Sequence, residues 1–163
     1  MMPRYLDYVD AVNEFVKPLW EKIRDLAKEN GMDAEFEVYR TPARYMVRYK
    51  MPPLIRDEIK LTYHLSELHW GAMASLIYML SKILEFPTPN MVWGMYWNAE
   101  FALNIPDFTV KMRADLNECR LYCQIFAFNS EKMETYTTEE FAEFIVNSFL
   151  LLKQTRKEAE DNA

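Results

Sequence analysis

Apolar positions change their spacing several times along the 163-residue chain, and these changes divide it into helices and strands. Between residues 5 and 30, apolar side chains recur at intervals of four and three residues, the spacing of one face of an α-helix. They are Tyr5, Val9, Val12, Val16, Leu19, Ile23 and Leu26. The stripe keeps its phase across Pro18, so we expect one kinked helix that ends at Gly31.

The segment from residue 35 to 65 alternates between apolar and polar positions, as strands with one buried face do. We expect two strands joined at Thr41-Pro42 and a third strand further on. Their apolar faces carry Phe36, Val38, Tyr45, Val47, Tyr49, Ile59, Leu61, Tyr63 and Leu65. The first turn places Glu35 opposite Arg48, which predicts a favourable pair of opposite charges on the polar face.

A second helix is predicted after Ser66, a residue type that favours helix N-termini. Its polar stripe is narrow and consists of Gly71, Ser75, Tyr78, Lys82 and Glu85. The remaining surface is apolar and wider than one sheet face can bury. We therefore expect a second packing partner, which is either another helix of this chain or a second copy of it. Gly71 and Ser75 are small enough to permit a close crossing in both cases.

Residues 91 to 128 alternate again and predict a three-strand antiparallel meander. A turn at Ile105-Pro106 places Leu103 opposite Phe108 and Glu100 opposite Lys111. A second turn, at Asn117-Glu118, gives the pairs Met112 with Cys123 and Asp115 with Arg120. Both turns put apolar residues on one common face, which supports the meander.

The last apolar stripe follows a capping box, Thr137 to Glu140, and predicts a third helix whose residues 158–163 fray. Its members are Phe141, Phe144, Ile145, Phe149 and Leu152. The whole chain, residues 1–163, is then a single α+β domain. Its order is helix, three strands, helix, three-strand antiparallel meander and helix, with a mostly antiparallel sheet packed by helices.

The chain is acidic, with a formal net charge of −6, which disfavours binding to nucleic acid or to an anionic membrane. The first residues lack the apolar segment of a signal peptide, and no uncharged run is long enough to span a bilayer. Cys119 and Cys123 lie four residues apart in one predicted strand, too far apart to form a disulfide. These features predict a cytoplasmic protein with free thiols.

Candidate catalytic groups do not form a recognisable motif. His64 and His69 flank Glu67, but their spacing is not that of a helical zinc site. The chain has no nucleophile elbow, phosphate-binding loop or dinucleotide fingerprint. We therefore predict no catalytic residue, no metal site and no cofactor.

Basic and aromatic residues mix between positions 39 and 50, a composition that single-stranded nucleic acid favours. However, Tyr45 and Tyr49 face away from Arg44 and Arg48 in the predicted strands, and acidic side chains accompany the arginines. We interpret this segment as a charge-paired sheet face.

Several apolar side chains occupy positions that should face solvent, which indicates either a covering helix or a partner site. Tyr122, Phe126 and Phe128 lie on the polar side of the last predicted meander strand, beside Tyr96. Eleven methionines point the same way, because their flexible side chains suit binding surfaces. The predicted partner or dimer surface comprises Gly71, Ser75, Tyr78, Met79, Tyr96, Tyr122, Phe126 and Phe128.

The element order over most of residues 5 to 157 resembles that of class I type III secretion chaperones and the related YbjN-type domains. The resemblance lies in topology only and transfers no functional residue. It implies a small, acidic, cytoplasmic protein that forms a homodimer and binds another protein.

The sequence thus favours a non-catalytic protein-binding module, chaperone- or adaptor-like, that holds a partner protein or an extended segment of one. One alternative is a small acidic inhibitor of a larger macromolecular complex, of the kind that phages and plasmids encode. Another is a protein or enzyme that binds an apolar small ligand beneath the aromatic residues Trp93, Trp97 and Phe101.

Overall fold

Three helices and two antiparallel sheets make up the described part of the chain in a computed structural model. That part comprises residues 5–50, 59–63, 67–86, 90–94, 100–105, 108–116, 118–127 and 130–162. The helices are α1 (Tyr5–Glu29), α2 (Leu68–Ile83) and α3 (Thr138–Asp161). The first sheet has the order β1 (Glu35–Arg40), β2 (Tyr45–Lys50) and β3 (Ile59–Tyr63). The second has the order β4 (Asn90–Gly94), β5 (Glu100–Ile105), β6 (Phe108–Asp115), β7 (Arg120–Ala127) and β8 (Ser130–Thr137). The α+β class and the alternation of helices with groups of strands are confirmed.

Helix α1 runs without interruption through Pro18 and contacts α2, α3 and β1. Most of the predicted stripe that the structure describes is buried, with Val12, Val16 and Ile23 at most 1% exposed and Leu26 half-buried. The Asn13 amide donates a hydrogen bond of 3.2 Å to the carbonyl of Val38, which ties the helix to β1. Because it contacts both other helices, α1 forms the centre of the core.

Helix α2 is almost entirely interior: 14 of its 16 residues are buried. It packs on α1 and on strands β2 and β3, so the second packing partner that its wide apolar surface requires lies within the chain. A Cβ atom added at Gly71 would overlap the ring of Tyr63, so glycine allows β3 to approach this helix. Glu67 is the N-terminal capping residue, and Ser66 lies outside the described residues.

The register of β1 and β2 differs by two residues from the prediction, since Glu37 and not Glu35 lies opposite Arg48. The Thr41 hydroxyl accepts a hydrogen bond from the Arg44 backbone N–H, and the turn is centred one residue later than expected. A shift of two residues leaves every side chain on its predicted face. Arg48 and Glu37 form an ion pair of 2.9 Å on the outer side of this sheet.

The second sheet has five strands and not three. The single strand expected from residue 91 is divided into β4 and β5. Strand β8 was not predicted, because most of its residues are charged or polar and they show no apolar alternation. The register of β5 and β6 is again shifted by two, with Leu103 opposite Val110 and Glu100 opposite Arg113. That of β6 and β7 is confirmed, since Met112 lies opposite Cys123.

Helix α3 begins at the predicted cap, where the Thr137 hydroxyl accepts the Glu140 backbone N–H at 3.2 Å. It extends to Asp161 and so includes most of the segment from residue 158 onward for which fraying is predicted. Phe141, Ile145 and Phe149 are fully buried. The helix covers one face of the second sheet, where Phe144 stacks on Tyr136 at 5.2 Å between ring centroids.

Candidate partner-binding surface

The face of the second sheet that points away from α3 carries exposed aromatic side chains. Along β7 the residues alternate: Leu121, Cys123 and Ile125 are buried, whereas Tyr122 and Phe126 are 36% and 37% exposed. Residues directly opposite one another on neighbouring strands project to the same side of a sheet. The register therefore places residues of four strands on one outer face. From β6, β7 and β8 these are Thr109, Lys111, Arg113, Asp115, Arg120, Tyr122, Gln124, Phe126, Glu131, Met133, Thr135 and Thr137, and from β5 they are Glu100, Ala102 and Asn104.

The apolar part of the outer face has three members. Tyr122 and Phe126 are four residues apart on β7, about 13 Å along the strand. Met133 lies opposite Gln124, between them on the neighbouring strand, and is 73% exposed. Large apolar side chains grouped on a solvent-facing sheet surface are typical of interaction sites.

Positive charges flank these apolar side chains. The Arg113 guanidinium lies 4.9 Å from the centre of the Tyr122 ring, a cation–π contact. Lys111 lies opposite Gln124 on β6, and Arg120 precedes Tyr122 by two residues on β7. Among the side chains that the structure describes, no carboxylate lies within ion-pair distance of these three cations.

The register places three acidic residues on the outer face: Asp115 lies opposite Arg120, Glu131 opposite Phe126, and Glu100, on β5, opposite Arg113. Asp115 and Glu131 accept local hydrogen bonds. Glu131 accepts a hydrogen bond of 2.8 Å from the Gln124 amide, and Asp115 accepts one of 3.2 Å from the Glu118 backbone N–H. The outer face therefore combines aromatic and thioether groups with three cations that form no described ion pair.

Only part of the predicted partner surface lies on the outer face. Tyr122 and Phe126 are where the alternation placed them, whereas Gly71, Ser75 and Met79 are buried inside the chain. Those three belong to the core, since the Ser75 hydroxyl donates to the Gly71 carbonyl at 2.8 Å and Met79 has no exposed surface.

Three further residues complete the comparison with the predicted surface. Tyr78 is half-buried near Tyr49, with 6.3 Å between the ring centroids, on the side of α2 that faces the first sheet. Tyr96 and Phe128 lie outside the described residues. Sequence reasoning missed Met133, because the polar pattern of β8 gave no sign of a strand.

The basic and aromatic residues of the first sheet do not form an aromatic platform. Tyr49 is buried, and Arg40 lies 5.5 Å from the ring centre of Tyr45. On the outer side of this sheet, Arg48 is paired with Glu37. The interpretation as a charge-paired face therefore agrees with the side chains that the structure describes.

The ionisable groups of the core are held in their neutral forms. Burial lowers the pKa of His69 to about 4, and its Nδ1 atom lies 3.5 Å from the Tyr8 hydroxyl. Burial also raises the pKa of the Cys123 thiol to about 12. Both groups are therefore uncharged at neutral pH. Within the described ranges, no three His, Cys, Asp or Glu side chains are grouped closely enough to bind a metal ion.

A cleft of about 310 Å³ opens between the C-terminal ends of α2 and α3. Five of its seven lining residues are charged, so it does not resemble a site for an apolar ligand. The apolar pocket proposed beneath Trp93, Trp97 and Phe101 involves side chains that lie outside the description.

The described part of the chain contains no helix that combines the length and apolar character needed to cross a bilayer.

Comparisons with known proteins add no relative from which a function could be inferred. No family model matches the chain, and no curated protein or solved structure is significantly similar to it.

Proposed function

We propose that this chain is a non-catalytic protein-binding module, chaperone- or adaptor-like, that holds a partner protein on its outer face. The observation that carries the proposal is the exposure of Tyr122, Phe126 and Met133 on one side of a sheet whose other side is core. Protein interfaces are enriched in aromatic residues, methionine and arginine, and the outer face has all three.

The composition of the outer face suits a binding site in energetic terms as well. Rigid aromatic side chains lose little conformational entropy on binding and present a large contact area. Truncation of such a side chain at the centre of an interface costs about 1 kcal/mol or more. Tyr122 and Phe126 are therefore the two residues on which we expect affinity to depend most.

The partner packs on the sheet face and does not extend the sheet at β8. Strand β8 is an edge strand, but it carries charges on both of its sides. Glu131 lies on one side, and Lys132 and Glu134, which form an ion pair of 3.1 Å, lie on the other. Charged edge strands discourage pairing with further strands. This favours side-chain recognition over strand addition.

A homodimer, which the resemblance in element order implies, remains a prediction. A two-fold axis that passes between Lys111, Arg113 and Arg120 would bring these cations close to those of the second copy. This like-charge contact disfavours the outer face as the dimer interface. The identity of the partner then separates a chaperone or adaptor from an inhibitor of a larger complex.

The proposal is tested by capture of host proteins on immobilised wild-type chain and two variants. Tyr122→Ser/Phe126→Ser removes the aromatic pair, whereas Leu150→Ser/Leu151→Ser removes an apolar pair of comparable exposure, 39% and 50%, from α3. We expect one stoichiometric partner that the wild type and the α3 variant retain and the outer-face variant loses. Equal capture by all three forms, or capture of no partner, would contradict the proposal.

A further inference from the structure

We infer that the occupant of the outer face is an acidic protein segment that also carries apolar side chains. This inference rests on the proposed function, because it specifies the chemistry of the partner at the same surface. Its basis is the placement of Lys111, Arg113 and Arg120 around Tyr122 and Phe126.

The three cations surround Tyr122: Lys111 and Arg113 lie on β6, and Arg120 lies on β7 two residues before Tyr122. Arg113 lies opposite Tyr122, and Lys111 lies opposite Gln124, which separates Tyr122 from Phe126. A segment that covers both aromatic rings must also cover these three cations or pass directly beside them. Its own charges therefore decide whether the contact is favourable.

A carboxylate is the group that best compensates these cations. A charge buried at an interface without a counter-charge is strongly unfavourable, so a purely apolar partner would lose affinity there. Asp115 lies opposite Arg120 and Glu100 opposite Arg113, but among the described side chains none of the three cations is within ion-pair distance of a carboxylate. The complementary acids must then come from the partner.

Arg113 is held in a position that suits a carboxylate. Its Cζ atom lies over the Tyr122 ring, 4.9 Å from the ring centre, and a guanidinium has five N–H donors with which it can bind a carboxylate. Because the ring restrains the guanidinium before binding, less conformational freedom is lost when a carboxylate forms its two hydrogen bonds.

Single-stranded nucleic acid, the other polymer that cations and aromatic rings attract, fits the outer face less well. Arg113 occupies one face of the Tyr122 ring, which a base would need for stacking. The next same-face position after Tyr122 on β7 is Gln124, so the strand does not present aromatic rings to successive bases.

The test measures binding of three fluorescent polymers to the full chain by anisotropy. The polymers are a random copolymer of glutamate and tyrosine, a random copolymer of lysine and tyrosine, and a 20-nucleotide single-stranded oligothymidine. We expect the acidic copolymer to bind best, and its affinity to fall as sodium chloride is raised.

Two charge-matched variants locate the effect. Lys111→Gln/Arg113→Gln removes two cations from the outer face, and Arg48→Gln/Lys60→Gln removes two from the first sheet, where they lie opposite each other. Both variants change the net charge of the chain equally. We expect the first to weaken binding of the acidic copolymer at least tenfold and the second to change it less than twofold.

Several outcomes overturn the inference. These are equal weakening by the two variants, tighter binding of the basic copolymer or of oligothymidine, and absence of binding to the acidic copolymer. If Tyr122→Ser/Phe126→Ser abolishes capture of the host partner while Lys111→Gln/Arg113→Gln leaves it unchanged, the acidic-partner inference fails and the proposed function stands. If neither variant alters that capture, both fail.

Discussion

At the scale of single residues, Glu85 occupies a backbone conformation that normally belongs to glycine. Its φ angle is 60°, close to the 70° of Gly31. Both residues follow a helix in the same way: the Glu85 N–H donates to the Lys82 carbonyl at 3.1 Å, and the Gly31 N–H to the Lys28 carbonyl at 3.0 Å. Two helices thus end in the same motif, one with the favoured residue and one without it.

Glu85→Gly is expected to stabilise the fold by about 1 kcal/mol, because glycine adopts positive φ without the steric cost of a Cβ atom. Urea unfolding measures the change. Gly31→Ala is the matched reverse experiment and should destabilise by a similar amount, since the added Cβ meets no atom within 4 Å. Glu85→Ala, which removes the carboxylate but keeps the Cβ atom, should have a smaller effect, and a gain as large as that of Glu85→Gly would contradict the argument.

His69 makes the free energy of unfolding depend on pH. Its pKa is lowered to about 4 in the folded chain, against 6.5 for the ordinary group, so between these values the unfolded chain binds the proton more readily. Stability therefore falls as pH decreases through this window. From pH 7.5 to 5 we expect a loss of about 2 kcal/mol from this residue.

Urea unfolding of the wild type and of His69→Gln at both pH values isolates that contribution. The variant keeps His64 and every carboxylate, so the difference between the two pH dependences belongs to His69. Identical pH dependences would show that the buried imidazole does not resist protonation.

At the scale of elements, the contact between α2 and β3 depends on the absence of a side chain at Gly71. The Tyr63 ring lies against the Gly71 backbone, in the space that a Cβ atom would occupy. We expect Gly71→Ala to destabilise the wild type by about 1–3 kcal/mol, through overpacking. With Tyr63→Ala the space is empty, and the same substitution should become stabilising because alanine favours helix more than glycine does.

A double-mutant cycle of these two substitutions, followed by urea unfolding, measures the coupling. Tyr63→Ala alone serves as the reference for the second arm. If Gly71→Ala costs the same in both backgrounds, the close approach does not control the packing of β3 on α2.

The pattern of apolar residues predicts most elements but not all of their partners. The register of β6 and β7 followed from their short turn and apolar pairs, whereas two other registers were wrong by two residues, since a shift by two preserves the pattern. Strand β8 has charges at Glu131, Lys132 and Glu134, so hydrogen bonding to β7 and not its own pattern defines it.

The same limit explains which residues of the candidate site were predicted. Tyr122 and Phe126 are apolar residues at positions where the alternation along β7 predicts polar ones, so their outward position was predictable. Gly71, Ser75 and Met79 belong to a helix whose apolar surface is evident, but helical spacing does not say whether the chain itself or a partner covers that surface. Here the covering elements are α1, β2 and β3.

At the scale of the whole molecule, the two faces of the second sheet have different roles. The inner face is part of the core with α3, and the outer face presents Tyr122, Phe126 and Met133. If the outer aromatic residues serve binding, they should contribute little to folding. This separation between stability and binding is the clearest consequence of the proposed function.

Adjacent residues of β7 allow a direct comparison. Leu121 is fully buried, and Leu121→Ala should cost about 2–5 kcal/mol, whereas Tyr122→Ser should cost about 1 kcal/mol, most of it from the contact with Arg113. Urea unfolding of both variants measures the two costs. A loss for Tyr122→Ser as large as that for Leu121→Ala would show that Tyr122 is kept for folding.

The most direct measurement is a calorimetric titration of the captured partner, once purified, against three forms of the chain. These are the wild type, Tyr122→Ser/Phe126→Ser and Leu150→Ser/Leu151→Ser. We predict that the outer-face variant binds at least tenfold more weakly, a loss of about 1.4 kcal/mol or more, and that the α3 variant binds within twofold of the wild type. Equal affinities for the wild type and the outer-face variant would contradict the claim that this surface holds the partner.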